Sequence, residues 1–278
     1  MKKGLPLITA LLLLHSAFAQ DVVFEDGTTV HLNHASFDYE NIRRASAGIV
    51  TNYDGFAGIK SVSASYLKPE KFFICANAGF SSASVEATYF FTGETKLRKK
   101  HFTLKYRNEG TYKTKAYVLK QDVRKRKEKG LYFAINNYGG IWNDPYNSFD
   151  NFTYTKATQL FAGFSSVNYW HADINVDNNI LKRAQFTGRT IIAPFIITGA
   201  VADTLGYTED VIPKYGARVM YELSNTFGFR GASIRGRTNL VIRIGTDISY
   251  RKNKTIAYML IFGGGVVYNF GEGKNRLF

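Results

Sequence analysis

Residues Thr255 to Phe270, TIAYMLIFGGGVVYNF, alternate between two chemistries. One face carries Ile256, Tyr258, Leu260, Phe262, Val266, Tyr268 and Phe270, interrupted only by Gly264. The other carries Thr255, Ala257, Met259, Ile261, Gly263, Gly265, Val267 and Asn269. A period of two is the period of a strand. Such a segment rises about 3.3 Å per residue, so when tilted it crosses an apolar layer of about 25 Å with aromatic rings at both margins. The alternation therefore describes a strand with lipid on one side, and Tyr258, Leu260, Phe262 and Val266 are its expected lipid face.

The same two-faced texture recurs from about Phe56 onward, in short runs separated by turns rich in Gly, Asn, Asp and Lys. The candidate strands are Phe56–Leu67, Lys71–Phe80, Ser84–Phe91, His101–Arg107, Thr111–Gln121, Leu131–Tyr138, Ala157–Tyr169, Gln185–Gly199, Lys214–Leu223, Phe227–Arg235, Thr238–Tyr250 and Thr255–Phe270. Many short strands without intervening helices specify an all-β antiparallel fold. In Thr238–Tyr250 the apolar face is Leu240, Ile242, Ile244 and Ile248, and Arg243 and Asp247 share the opposite face. In Lys214–Leu223, Arg218 and Glu222 share the polar face. With Arg189, these charges form an expected lumen network, because opposite charges in a confined interior must pair. Tyrosine, 18 residues in all, clusters near strand ends as an aromatic girdle requires. The reading is an up-and-down transmembrane β-barrel of about 12 strands, or ten if a hairpin around His101–Arg107 lies outside the membrane.

Met1 to Ala19 has the parts of a secretory signal: Lys2 and Lys3, an apolar run from Leu5 to Leu14, and Ala17-Phe18-Ala19 before Gln20. The apolar run is shorter than the roughly 20 residues that a membrane helix needs. Beyond it no stretch is long and apolar enough for one, and only helices or closed barrels satisfy every backbone group in lipid. The expected plan is a signal peptide over 1–19, then a periplasmic lead-in, plug or first strand over 20–52. The barrel follows over 53–270 and a short basic tail over 271–278. The single cysteine, Cys75, lies in the apolar run FFICANAGF and reads as a small hydrophobe.

Gly265-Val266-Val267-Tyr268-Asn269-Phe270 resembles the C-terminal assembly signal of bacterial outer-membrane β-barrel proteins, a glycine followed at fixed spacing by two hydrophobic residues on one face. The resemblance implies an outer-membrane location and recognition of Gly265, Tyr268 and Phe270 by the barrel-assembly machinery. It departs from the pattern at Gly263, where a polar residue is usual, and in the eight residues that follow Phe270. The glycine-rich last strand and basic tail also resemble the small barrels of Bacteroidota outer membranes, which implies a location and no activity.

Chemistry is sparse. No phosphate-binding glycine loop, CxxC, HExxH or GxSxG pattern occurs, and no cofactor or metal is expected. His171 and Asp173 are the one candidate for a rim hydrolase, two residues apart and so on one face, but no nucleophile pairs with them. The net charge of +14 is concentrated in Lys96–Lys129, including Arg124-Lys125-Arg126-Lys127. An exported chain does not meet nucleic acid, so Arg124–Lys129 points to anionic lipid or polysaccharide. The expected function is an outer-membrane barrel with a structural, binding or passive permeation role. The alternatives are a soluble β-sandwich or lipocalin-like binding protein, whose apolar faces would turn inward, and a barrel hydrolase.

Overall fold

The computed structural model of the chain describes residues 20–53, 58–79, 82–109, 114–143, 152–176, 180–203, 214–226, 237–250 and 256–270. The strands are β1 (Gln20–Val23), β2 (Thr29–Ser36), β3 (Ala45–Tyr53), β4 (Gly58–Lys68), β5 (Phe72–Gly79), β6 (Ser82–Asn108), β7 (Thr114–Asn143), β8 (Phe152–Val176), β9 (Ile180–Asp203), β10 (Tyr215–Thr226), β11 (Thr238–Tyr250) and β12 (Ile256–Phe270), with one 3-10 turn at Tyr39–Asn41. Every pairing is antiparallel, and ten strands, β3 to β12, close into a barrel. Closure is made by β12 against β3, with Phe270 opposite Ala45. Both barrel termini therefore lie at one end.

With Phe227–Arg235 set aside, ten strands emerge from the other eleven candidates by two mergers and one addition. Ser84–Phe91 and His101–Arg107 are parts of the continuous β6, and Thr111–Gln121 and Leu131–Tyr138 are parts of β7. The basic segments between them pair across the hairpin rather than turning, so charge did not mark a break. Residues 45–53 supply the first barrel strand, while Phe227–Arg235 and the segments 1–19 and 271–278 lie outside the described residues.

Exposure settles which face is which. Tyr258, Leu260, Phe262 and Val266 are all more than half exposed, Leu260 at 74%. On neighbouring strands Ile244, Ile192, Phe164, Phe133 and Val85 are exposed as well. The inward face carries the buried polar groups, Ser61, Ser63, Asn77, Glu86, Gln159, Arg189, Arg218, Glu222, Arg243 and Asp247, packed among apolar and aromatic side chains. A soluble β-barrel has the opposite arrangement, with its apolar side chains inside. The apolar belt has aromatic margins. Tyr215 and Tyr250 stack at 5.4 Å toward one end, beside Tyr258, while Tyr66, Tyr89, Phe91, Tyr268 and Phe270 stand toward the termini.

At the end that holds the termini, β6–β7 and β8–β9 run on beyond the barrel. β7 follows β8 only as far as Arg126 opposite Tyr169. Beyond that point β2 takes its place, pairing Leu32–Ser36 with Asp173–Val176. Two small cores sit between these layers. One gathers Val30, Leu32, Leu104, Ile174 and Val176, and the other Val123, Trp170 and Ala172 with Phe102 and Phe186. The three hairpins form an annex on the barrel, and the N-terminal residues 20–36 belong to it.

Candidate functional site

Among the described residues the lumen holds a concentration of buried charge. Arg189, on β9, is 1% exposed and donates to Glu86 of β6 at 2.7 Å and to Glu222 of β10 at 3.3 Å. Arg243, on β11, donates to the same Glu222 at 2.5 Å. Cross-strand register makes this unavoidable, since Glu222 stands directly opposite Arg189 on one side and Arg243 on the other. Arg218 meets Asp247 in a fork of two bonds, both 2.7 Å, again between register partners. Guanidinium and carboxylate planes match in this bidentate geometry, so the pair is held in orientation as well as charge. Three cations thus balance three carboxylates.

Aromatic and apolar side chains fill the space around these pairs. Arg189 lies over the Phe73 ring at 4.9 Å and Arg218 over Phe161 at 4.5 Å. Tyr132, Phe161, Ile191, Phe195, Met220 and Ile261 form a packed cluster inside the wall. Among the described residues the remaining space beside Cys75, Glu222 and Arg243 is a cavity of about 40 Å³, room for a few waters. Buried Cys75 sits against this cavity, its sulfur 3.8 Å from the Ser63 hydroxyl.

The 3-10 turn stoppers the barrel at the annex end. Asp38 caps it by accepting from the Glu40 N–H, and Tyr39 and Ile42 are carried inward onto Leu67, Phe73, Phe90 and Tyr169. Three contacts hold it there: the Tyr39 hydroxyl donates to Glu70 at 2.9 Å, Arg124 pairs with Asp38, and Gln185 bonds the Arg43 backbone at both N–H and C=O. Glu70 reaches Tyr39 from a turn in which its own φ is 65°, a left-handed conformation costly for a residue with a Cβ.

Of the residues singled out by sequence, Arg189, Arg218, Glu222, Arg243 and Asp247 all meet in the lumen, and Leu240, Ile242 and Ile244 lie on the outward face of β11. Gly265 lies at the closing seam, where a Cβ would come within 2.2 Å of the Ile49 carbonyl oxygen, while Tyr268 and Phe270 point outward on β12. His171 is 1% exposed and packed inside the annex end of β8, with Nε2 3.5 Å from an Asp173 oxygen. Asp173 is bonded more closely by Arg183, at 2.8 Å. A buried imidazole beside an acid already held by a guanidinium has no access to a substrate at the rim. Arg124 and Arg126 lie over the Tyr39 ring, at 5.2 and 5.8 Å, so part of the cationic run serves the stopper.

Sequence reading missed Glu86 and the stopper. Glu86 was legible as the only charge in Ser84–Phe91, on the face opposite Val85 and Tyr89. Nothing in residues 37–44 marks a stopper, because its partners come from β4, β5, β6, β7, β8 and β9. Among the described residues no cluster could hold a metal ion, and no helix is long and apolar enough to cross a membrane. Comparison with protein families, with characterised proteins and with solved structures finds no match to this chain.

Proposed function

We propose that this chain is an integral β-barrel of the bacterial outer membrane, exported by the signal at 1–19 and inserted by the barrel-assembly machinery through β12. It serves as a closed anchor that carries a folded annex at the membrane surface, with a structural or binding role rather than catalysis. The observation that carries this reading is the outward apolar belt with aromatic margins around an interior of neutralised charge. Only a lipid environment makes that arrangement stable, because in water the exposed belt would drive aggregation. Both barrel termini lie at the annex end, which supports a periplasmic placement of the annex, on the side from which the chain arrives.

A packed lumen and a stoppered end argue against passive permeation. The expected result is heat-modifiable migration on a gel, retention in membranes after a carbonate wash, and no steady conductance in a planar bilayer. Release of the mature chain into the soluble fraction without detergent would overturn the membrane reading. A steady ohmic current would overturn the closed state alone.

A further inference from the structure

The outward face of β7 changes character within two residues. Ile135, Phe133 and Leu131 are apolar and exposed, and the next three residues on that face are Lys129, Lys127 and Lys125. At about 3.3 Å per residue, Lys129 follows Leu131 by only about 7 Å along the strand. The cations therefore start at the depth where an apolar layer meets its headgroups. Register places Thr92, Glu94 and Lys96 of β6 opposite these three lysines in turn, and Ser166 and Asn168 of β8 beside Lys129 and Lys127. Arg98 follows Lys96 on the same face.

With Lys100, next after Arg98, six cations thus share the face with one acid, Glu94, which bridges Lys96 at 3.0 Å. Lys96 and Lys125 stand directly opposite each other, an unfavourable cross-strand pair. Burial and the like charges of Lys100, Arg98 and Lys127 hold the Lys125 ammonium below its ordinary pKa. The fold supplies aromatic surface instead of counter-charge: Lys125 lies over Phe186 at 5.6 Å and Lys100 over Trp170 at 5.1 Å, and those two rings stack at 6.2 Å. A cationic face with an aromatic floor, directly below an apolar wall, has the profile of a membrane interface.

We infer that Lys125, Lys127 and Lys129, with Lys96 and Arg98 opposite, bind the anionic phosphate headgroup of a membrane phospholipid whose acyl chains run along Leu131, Phe133 and Phe164. This inference rests on the membrane reading above. Its source of phosphate is lipid rather than free anion, because the apolar wall is continuous with the cations and offers a free anion nothing.

The test uses Trp170 as reporter. The full chain carrying W142F, which leaves Trp170 as the sole tryptophan, is refolded into phosphatidylcholine vesicles containing increasing brominated phosphatidylglycerol, with brominated phosphatidylcholine as the control. Quenching of Trp170 should show a preference for phosphatidylglycerol of at least about tenfold, since each ammonium near an anionic surface contributes about fivefold. The K125Q/K127Q/K129Q variant, and 1 M NaCl on the unaltered lysines, should each bring the preference below twofold. An equal response to both lipids, or a preference unchanged by variant and salt, would overturn the inference. So would relief of quenching by inorganic phosphate or by dextran sulfate, which would identify a free anion or a polysaccharide as the partner. Heat-modifiable migration in plain phosphatidylcholine separates the two readings: insertion without lipid preference sinks only this site, and failure to insert sinks the membrane reading and this site with it.

Discussion

Replacing Glu222 by Gln is the sharpest test of the closed lumen. Glu222 accepts from Arg189 at 3.3 Å and from Arg243 at 2.5 Å, and its side chain is 10% exposed. The substitution preserves shape and leaves one acceptor oxygen, but it removes the negative charge that two guanidinium groups share. Arg189 keeps Glu86, at 2.7 Å, while Arg243 loses its pairing with Glu222, and the cluster becomes a net cation in a buried interior. Breaking a buried pair by removing one partner costs about 3–5 kcal/mol, because the remaining charge is left uncompensated. The assay is urea unfolding of the barrel in phosphatidylcholine vesicles, followed by loss of heat-modifiable migration and by tryptophan fluorescence. A companion variant, E222Q/R243M, removes the excess positive charge as well and should recover at least half of the loss. A cost below about 1 kcal/mol for E222Q would place the pair in the range of exposed ion pairs. It would mean that water reaches the lumen, and the closed-barrel argument would fail.

Other outcomes follow from the belt, the seam and the annex. Phe262→Arg, near the middle of the outward face of β12, should cost about 2–4 kcal/mol in vesicles, the range for a cation at the bilayer midplane, whereas an exposed site in water would tolerate it within about 0.5 kcal/mol. Gly48→Val should block closure, since a Cβ there would lie 2.1 Å from the Val266 carbonyl oxygen; refolding yield measured as the heat-modifiable band should collapse, while Gly264→Ala, with space around it, should leave the yield intact. Tyr39→Gly with Ile42→Gly should loosen the stopper and give brief conductance events in a planar bilayer, absent from the unaltered chain. Asp26 ties the β1–β2 turn to Lys115 and Tyr117 at 2.7 and 2.9 Å, and Lys115 first, then the Thr28 N–H, holds its carboxyl far below the ordinary 3.8. Because the folded value is depressed, the tie contributes fully above pH 3.8 and is lost as pH falls toward the folded value. Pepsin cleavage of the annex should therefore speed up on acidification below that pH in the unaltered chain and show no such step in D26N, a change of a few-fold at most for so exposed a pair.

How much of this was legible in the chain depends on the range of the interaction. The lumen pairs were readable because register reduces them to a local rule: Arg218 and Asp247, or Glu222 and Arg243, need only share the polar face of adjacent strands. Glu86 was readable in type but not in partner, since Arg189 lies 103 residues away. The length of β6 and β7 was hidden for a different reason. Lys and Arg at alternate positions look like a solvated turn, and only the pairing of Lys96 with Lys125 and Lys99 with Asp122 shows a ladder running through them. His171 read as a rim residue because its neighbours in sequence are polar and aromatic, yet it is buried, and the strand end just beyond it pairs with β2, far earlier in the chain.

The sequence by itself determined that the chain is built of two-faced strands and which residues share each face, because alternation is a property of neighbours. It also set the charge balance of the inner face and the aromatic margins of the outer one. Only the tertiary structure decided that ten strands close, that Ala45 meets Phe270, that apolar means outward, and that residues 37–44 return to stopper one end. A single strand has no inside. That direction comes into being when β12 pairs with β3 and the wall acquires a lumen too crowded for anything but small residues, packed rings and paired charges.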